Sequence, residues 1–411
     1  MTIKRPKRFI YGVFGAALLN TLLCFLIAFF YLKKPIKNDA DMTLLQRGSW
    51  FTTFILGIDK KPPKEQFLFI DISRDKQLVD ILDENGFPSG NMAITDREKL
   101  AELFNVLGSK PKNQPLILCD VLFDSKSPSD SALELSMAKL PNLVLSYTFS
   151  EDDKSLVVPV FKNVKRGIAN YETHNNTFMK FRLAYKDTLP TVPLQMYEIT
   201  HQKKFEHGTL FNYLGGKRIL SHFAPPLKIR NYDLFEAPEK QRYSWIRLGE
   251  LLMFPEDILK ICKGRILVIG NFAGNADKHE TVMGDLYGPL ILVNTYIALK
   301  NGDNIITVGW LAMLFFSFFF ISFFTFWQVD VKQMRVINWL NYWLSRGLFK
   351  HIIRLMTYVF GLTLVSVASY LFFNIHLNIM IMGGFFYLLD SAVKFAYRRK
   401  GWLEKVKKEE A

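Results

Sequence analysis

Cysteine is scarce in this chain, with three in 411 residues. They stand at positions 24, 119 and 262 without a C-x-x-C or similar spacing, which excludes a thiolate zinc site and a disulfide-built scaffold. Nucleotide loops are missing too. No G-x-x-x-x-G-K-[ST] occurs, and the glycines of GNFAG (270–274) are spaced G-x-x-x-G rather than G-x-G-x-x-G. His279-Glu280 opens like H-E-x-x-H, but Met283 occupies the place of the second histidine, so that zinc-protease site is excluded. Internal repeats and low-complexity tracts are absent, and no cofactor is expected.

What the sequence has in excess is apolar length. Phenylalanine reaches 37 residues, unevenly distributed. Residues 9–32 form an uncharged run ending in FFYLKKP. That is long enough to cross a hydrocarbon core of about 30 Å and too long for a cleavable signal, so it reads as a signal anchor. Three further runs follow residue 305: 306–327, with Trp310 and Trp327 placed like an interfacial aromatic belt, then 355–373 and 375–395, joined through NIHLN as a tight hairpin. Asp390 falls near the end of the last run and is expected at its boundary. Residues 328–354 place Val336, Leu340, Trp343, Leu344 and Leu348 on one face, the pattern of an interfacial amphipathic helix.

The formal net charge of +14 sits mostly outside the central segment. Residues 33–305 hold 36 Lys and Arg against 33 Asp and Glu; residues 1–32 hold 4 basic and no acidic residues, and 306–411 hold 12 basic against 5 acidic. Such flanks are expected of membrane-proximal ends facing the cytoplasm, and nucleic-acid binding is not needed to explain them. Lys394, Arg398, Arg399, Lys400, Lys405, Lys407 and Lys408 follow the last run, and NIHLN carries no Lys or Arg. The reading is a multi-pass protein of the cytoplasmic (inner) membrane. A cytoplasmic N-terminus (1–8) and a basic cytoplasmic tail (396–411) flank four spans, with residues 33–305 outside. In that oxidising space a Cys119–Cys262 bond and two unpaired buried thiols are both open.

Between the first two spans the sequence alternates aliphatic runs with helical patterns, which predicts an α/β domain with a Rossmann-like, mostly parallel sheet. Strands are expected at 67–73 (FLFIDIS), 115–123 (PLILCDVLF), 142–149 (NLVLSYTF) and 265–272 (RILVIGNF). Helices are expected from Asp96, where Thr95 and Glu98 resemble a capping box, across 129–140, and through LILVNTYIALKNG. The segment 151–243 is hard to read; TLPTVPLQMYEI offers a short strand and a helix start.

Asp71, Asp120 and the loop bearing Asp277, His279 and Thr281 all fall at or just past the carboxyl ends of predicted strands, where open parallel sheets bind ligands. Ser73 and Asn271 lie beside them. Such groups can hold a cation or polar ligand or exchange protons; each can equally accept backbone N–H bonds and fix a loop. The metal, if any, is not identified.

These residues, taken with the membrane pattern, carry a resemblance. FLFIDIS, ITDREKLAELFNVL, LILCDVLFDSKSPSDSALELSMAKLPNLVLSY and RILVIGNFAGNADKHETVMGDLYGP resemble the second class of CHASE domains, extracytoplasmic sensory modules between one helix and a trio of transmembrane helices. The D-V-L-F stretch and G-x-x-D-x-H-x-T-x-x-G, from 274 to 284, are its most specific parts. Where family members read Gly-Val-Glu-x-His, this chain has Gly288-Pro-Leu-Ile-Leu. Relatives continue into kinase or cyclase domains, and no room for one is expected after residue 395. The resemblance implies a sensor without catalysis of its own, binding a ligand or envelope partner and signalling to a separate membrane or cytoplasmic protein. Gly361, Gly383 and Gly384 would permit close helix contacts with that partner, within the hairpin, or in a homo-oligomer. An assembly subunit of an envelope complex and an extracytoplasmic metal-dependent hydrolase are the alternatives.

Overall fold

A computed structural model describes residues 7–32, 39–55, 57, 60–85, 87–150, 155–156, 160–161, 163–186, 188–209, 211–235, 241–275, 277–327, 347–378, 381–393 and 395. The chain divides into two compact units, residues 49–305 and the combined ends 1–48 and 306–411.

The 49–305 unit is built on a six-stranded parallel sheet. Its strands are Phe67–Asp71, Leu116–Cys119, Leu143–Tyr147, Arg166–Ile168, Ser244–Arg247 and Ile266–Gly270. In space the order is 244–247, 67–71, 266–270, 116–119, 143–147, 166–168. The aliphatic strands are buried along their whole length, the signature of a parallel sheet covered on both faces. Alternation sorts their side chains. Leu68, Ile70, Ile117, Cys119, Leu143, Leu145, Leu267 and Ile269 share one core with Leu100, Leu103, Phe104 and Leu107 of the Arg97–Gly108 helix and Ile258 and Cys262 of the Pro255–Cys262 helix. The opposite face is covered by the Val192–His201 and Gly288–Asn301 helices. Cys119 and Cys262 are both free and buried, so no disulfide forms, and burial raises both thiol pKa values.

Four of the six core strands match the aliphatic runs. Each is shorter than expected: the second stops at Cys119, and residues 120–123 form the loop beyond it. The first helix is capped by Asp96, whose carboxylate accepts from the Glu98 and Lys99 N–H groups, so the cap lies one residue after the expected Thr95. Residues 189–201 form the expected short strand and helix. Unforeseen were the Lys76–Leu82/Pro88–Thr95 hairpin and a second, mixed sheet that joins Glu172–His174, Thr177–Arg182, His222–Phe223, Lys278–Thr281 and Gly284–Tyr287.

The other unit contains two helices long and apolar enough to cross a membrane, Ile10–Leu32 and Val308–Trp327. Phe14 packs edge-on against Phe319 at 5.1 Å, Phe29 against Trp310 at 5.8 Å, and Asn20 donates to Ser322 Oγ at 2.8 Å. Large apolar side chains such as Tyr11, Leu19 and Phe320 face outward, a surface suited to lipid. Trp310 turns inward. It is fully buried and donates from Nε1 to Ser369 Oγ at 2.8 Å, since an indole N–H sequestered from water needs an acceptor.

A third helix runs Gly347–Phe373, starting eight residues before the expected span; Tyr358–Phe373 and Ile381–Val393 are shorter apolar segments. The turn between them folds back on the third helix, where Ser366 and Ser369 hydroxyls donate to the Leu377 and Ile375 carbonyls. Those contacts satisfy backbone groups of a buried turn. Asp390, near the end of the Ile381–Val393 helix, is buried. Gly383 packs on Val359, whereas Gly361 and Gly384 have nothing within 4 Å. The expected amphipathic helix lies largely, over 328–346, outside the described residues.

One buried cation ties the loop after Cys119 to the 49–305 core. Arg97 is 2% exposed; its guanidinium donates to the Asp130 carboxylate and Ser125 carbonyl and lies over the Phe123 and Phe161 rings at 5.3 and 5.8 Å. Removing it strands Asp130. Arg97→Ala is expected to destabilise the full-length protein by about 2–4 kcal/mol, and Arg97→Lys by roughly half as much, because lysine lacks the planar fork. Denaturant unfolding in detergent checks both values.

Candidate functional site

All six parallel strands end on one edge, so residues distant in sequence meet there. Asp71 pairs with Gly270, Asp120 N–H donates to the Ile269 carbonyl, and Cys119 pairs with Leu145, which places Ser146 next to Asp120. Alternation puts Asp71, Gly270, Asp120 and Ser146 on the face covered by the Gly288–Asn301 helix, opposite to the Leu145 and Ile269 core. Gly270 is required there: a Cβ would stand 2.5 Å from Pro289 Cγ in the first turn of that helix and 3.6 Å from Asp120 Cβ. Helix and carboxylate are thereby drawn against the strand end.

Asp277 arrives from the loop before the Lys278–Thr281 strand of the second sheet. Its carbonyl accepts from Gly288 N–H at 2.9 Å, and a Cβ on Gly288 would lie 2.5 Å from Asp277 Oδ1. The carboxylate therefore sits at the amino end of a 14-residue helix, where the dipole favours negative charge. His279 Nε2 lies 3.0 Å from Asp277 Oδ1, and the Tyr171 ring meets the His279 ring edge-on at 5.2 Å.

Asp120 is the unusual member. Burial and then repulsion from Asp277 push its pKa up to about 7, against the pull of Ser146 and His279. The Ser146 hydroxyl, 3% exposed, lies beside that carboxylate and holds its pKa down. Tyr171 is raised above the ordinary phenol range by burial first, then by Asp277 and Asp120. The three carboxyl and phenol groups thus feel one another's fields across the edge.

The other expected site residues do different work. Asp71 is saturated: its oxygens accept from Ser73 N–H at 3.0 Å, Ser73 Oγ at 2.8 Å and Phe272 N–H at 3.1 Å, joining the loops after two neighbouring strands. Ser73 is spent on that turn. Asn271 accepts from Ala273 N–H at 3.2 Å, and Thr281 donates to the Gly284 carbonyl at 2.5 Å while accepting from Met283 N–H at 3.2 Å. These four are loop locks. Asp120, Asp277 and His279 converge, joined by Ser146 and Tyr171, which sequence reasoning missed. Ser146 left a signal, a hydroxyl inside NLVLSYTF one place past the residue level with Cys119; Tyr171 left none. Among the described residues no group of three His, Cys, Asp or Glu is arranged to hold a metal ion.

Neither a family model, a curated protein nor a solved structure matches the chain.

Two outcomes follow from this geometry. Gly288→Ala is expected to displace Asp277 and lower stability by about 1–3 kcal/mol, by forcing atoms into a filled space; thermal melting of the full chain checks it. The Asp120 carboxyl is raised in the folded state, so that state holds more protons than the unfolded chain between pH 4 and 7. Stability from this group is therefore present at low pH and lost as pH rises through about 7. Asp120→Asn, which cannot ionise, is expected to be more stable than wild type at pH 8 by about 1–2 kcal/mol, with the gain vanishing near pH 4.

Proposed function

We propose that this chain is a membrane-anchored binding protein whose α/β domain takes a small polar ligand at the carboxyl edge of its parallel sheet, with Asp120, Asp277 and His279 as the contacting groups. The observation that carries this reading is the contrast between two carboxylates on one edge. Asp71 accepts three hydrogen bonds, as a structural aspartate does, whereas Asp120 stands beside a second carboxylate that, after burial, raises its pKa. Strongly perturbed carboxylates gather at functional sites, where charges are brought together against their own repulsion. The position agrees with the general rule for open α/β sheets.

In this reading the domain is extracytoplasmic, four spans connect it to cytoplasmic ends in the inner membrane, and ligand occupancy is relayed to a separate membrane or cytoplasmic protein. The resemblance to the second class of CHASE domains and the basic flanks support that arrangement. A second reading, a constitutive assembly subunit of an envelope complex, draws on the Lys76–Leu82/Pro88–Thr95 hairpin. It pairs with no other strand among the described residues, and Leu78 and Phe87 are 71% and 68% exposed on it, the type of surface that protein contacts cover.

The test is thermal melting of the full-length protein in lipid nanodiscs with a low-molecular-mass extract of the cell envelope. Binding at the edge predicts a rise in Tm for wild type that Asp277→Ala abolishes. No rise, or an equal rise in the variant, contradicts it.

A further inference from the structure

Whatever the sheet edge binds, the Lys76–Leu82/Pro88–Thr95 hairpin is a two-stranded ribbon with no further strand beside it among the described residues. Unpaired N–H and C=O groups therefore line both of its outer edges, and such rows template pairing with another chain. The two edges are not equally open. The second strand, PSGNMAIT, begins on a proline, has a glycine within it, and holds an extra residue, Ser89, where Ile81 pairs with Gly90 but Leu82 pairs with Pro88. Proline, glycine and a bulge all spoil a ladder edge. The first strand, KQLVDIL, has none of these, and its pairing is regular from Lys76 to Ile81.

Side chains on that open strand alternate. Lys76, Leu78 and Asp80 stand on the exposed face, Leu78 at 71%, whereas Gln77 and Val79 are half-buried. Residues directly opposite each other in a sheet share a face, so two identical antiparallel strands related by a twofold axis must be centred on a residue, never between two. Centring on Gln77 or Val79 sets Leu78 against a charge, and centring on Asp80 sets two carboxylates against each other. Only Leu78 satisfies every position on the exposed face: each Lys76 then faces Asp80 of the second copy, and the two leucines meet. Within the hairpin Ala93 lies opposite Leu78 and Asn91 opposite Asp80. Ala93, Leu78 and their copies would form one apolar row, with a Lys–Asp pair on each side of it.

We propose that the Lys76–Leu82 edge is the surface on which a second copy of this chain docks, antiparallel about a twofold axis at Leu78, so that two hairpins become one sheet. Opposite charges placed symmetrically about an exposed leucine on one strand face are self-complementary, and that symmetry is what identifies the occupant as the same chain. The charges that would keep other strands off this edge thereby admit its own copy.

The experiment is disulfide trapping of the full-length protein in liposomes, with Leu78→Cys as the probe and Phe87→Cys, at a side chain 68% exposed but beyond the paired stretch, as the control for random collision; the native cysteines are buried. Mild oxidation should give a covalent dimer of Leu78→Cys at a rate at least about tenfold above that of Phe87→Cys, since the dyad holds the two sulfurs in contact. Adding Asp80→Lys or Lys76→Glu to Leu78→Cys should slow trapping by roughly tenfold, because each change sets like charges opposite each other at both ends of the leucine pair, and carrying both together should restore the rate to within about threefold. Equal trapping at positions 78 and 87 would overturn the dimer edge. Trapping at Leu78→Cys that ignores the single charge changes, or that the double change fails to restore, would overturn the register.

Discussion

The edge of the sheet is organised by the absence of two side chains. Gly270 lets the first turn of the Gly288–Asn301 helix close onto the end of a central strand, and Gly288 lets the Asp277 carboxylate settle onto that same turn. A Cβ at either place would stand 2.5 Å from its neighbour, a separation that packed interiors do not tolerate. The proximity of Asp277 to Asp120, the partial burial of Asp120 and the placement of His279 all go with this closure.

Around that point the fold separates polar work from packing. Parallel strands buried on both faces leave the interior to aliphatic and aromatic side chains, and ionisable groups are pushed to the strand ends. Most of those groups are then used up locally. Asp71 joins two loops, Asp96 caps a helix, Asp75 pairs with Lys99 at 2.6 Å, and Asp233 pairs with Lys61 at 2.5 Å. Against that background Asp120 stands out by what surrounds it: burial and the Asp277 charge raise its pKa against the opposing pull of Ser146 and His279.

The sequence was legible where one physical requirement dominated. FLFID, LILC, LVLSY and ILVIG are strands because nothing but an apolar strand survives burial on both faces, and their carboxyl ends marked the edge where Asp71, Asp120 and the Asp277, His279, Thr281 segment were expected. RGI and SWIR escaped notice because three or four residues at the sheet margins carry no periodicity, and the Lys76–Leu82/Pro88–Thr95 hairpin because both its faces are largely solvated. Asp71, Ser73, Asn271 and Thr281 could not be told from ligand-facing residues, since an aspartate or threonine that locks a turn has the same composition and spacing as one that binds. Tyr171 was invisible because only the second sheet, with pairings between residues about a hundred positions apart, carries it to His279. In the apolar helices, length and hydropathy were readable, but the inward turn of Trp310 and the burial of Asp390 depend on packing partners.

The convergence of Asp120 and Asp277 is the claim on which the rest turns, and carboxyl infrared spectroscopy of the full-length protein across a pH series tests it most directly. The account predicts a protonated carboxyl signal that disappears with a midpoint near pH 7, is absent from Asp120→Asn, and moves to lower pH in Asp277→Asn once the repelling charge is gone. A signal whose midpoint is the same with and without Asp277, or no carboxyl titrating above the ordinary range, would contradict it.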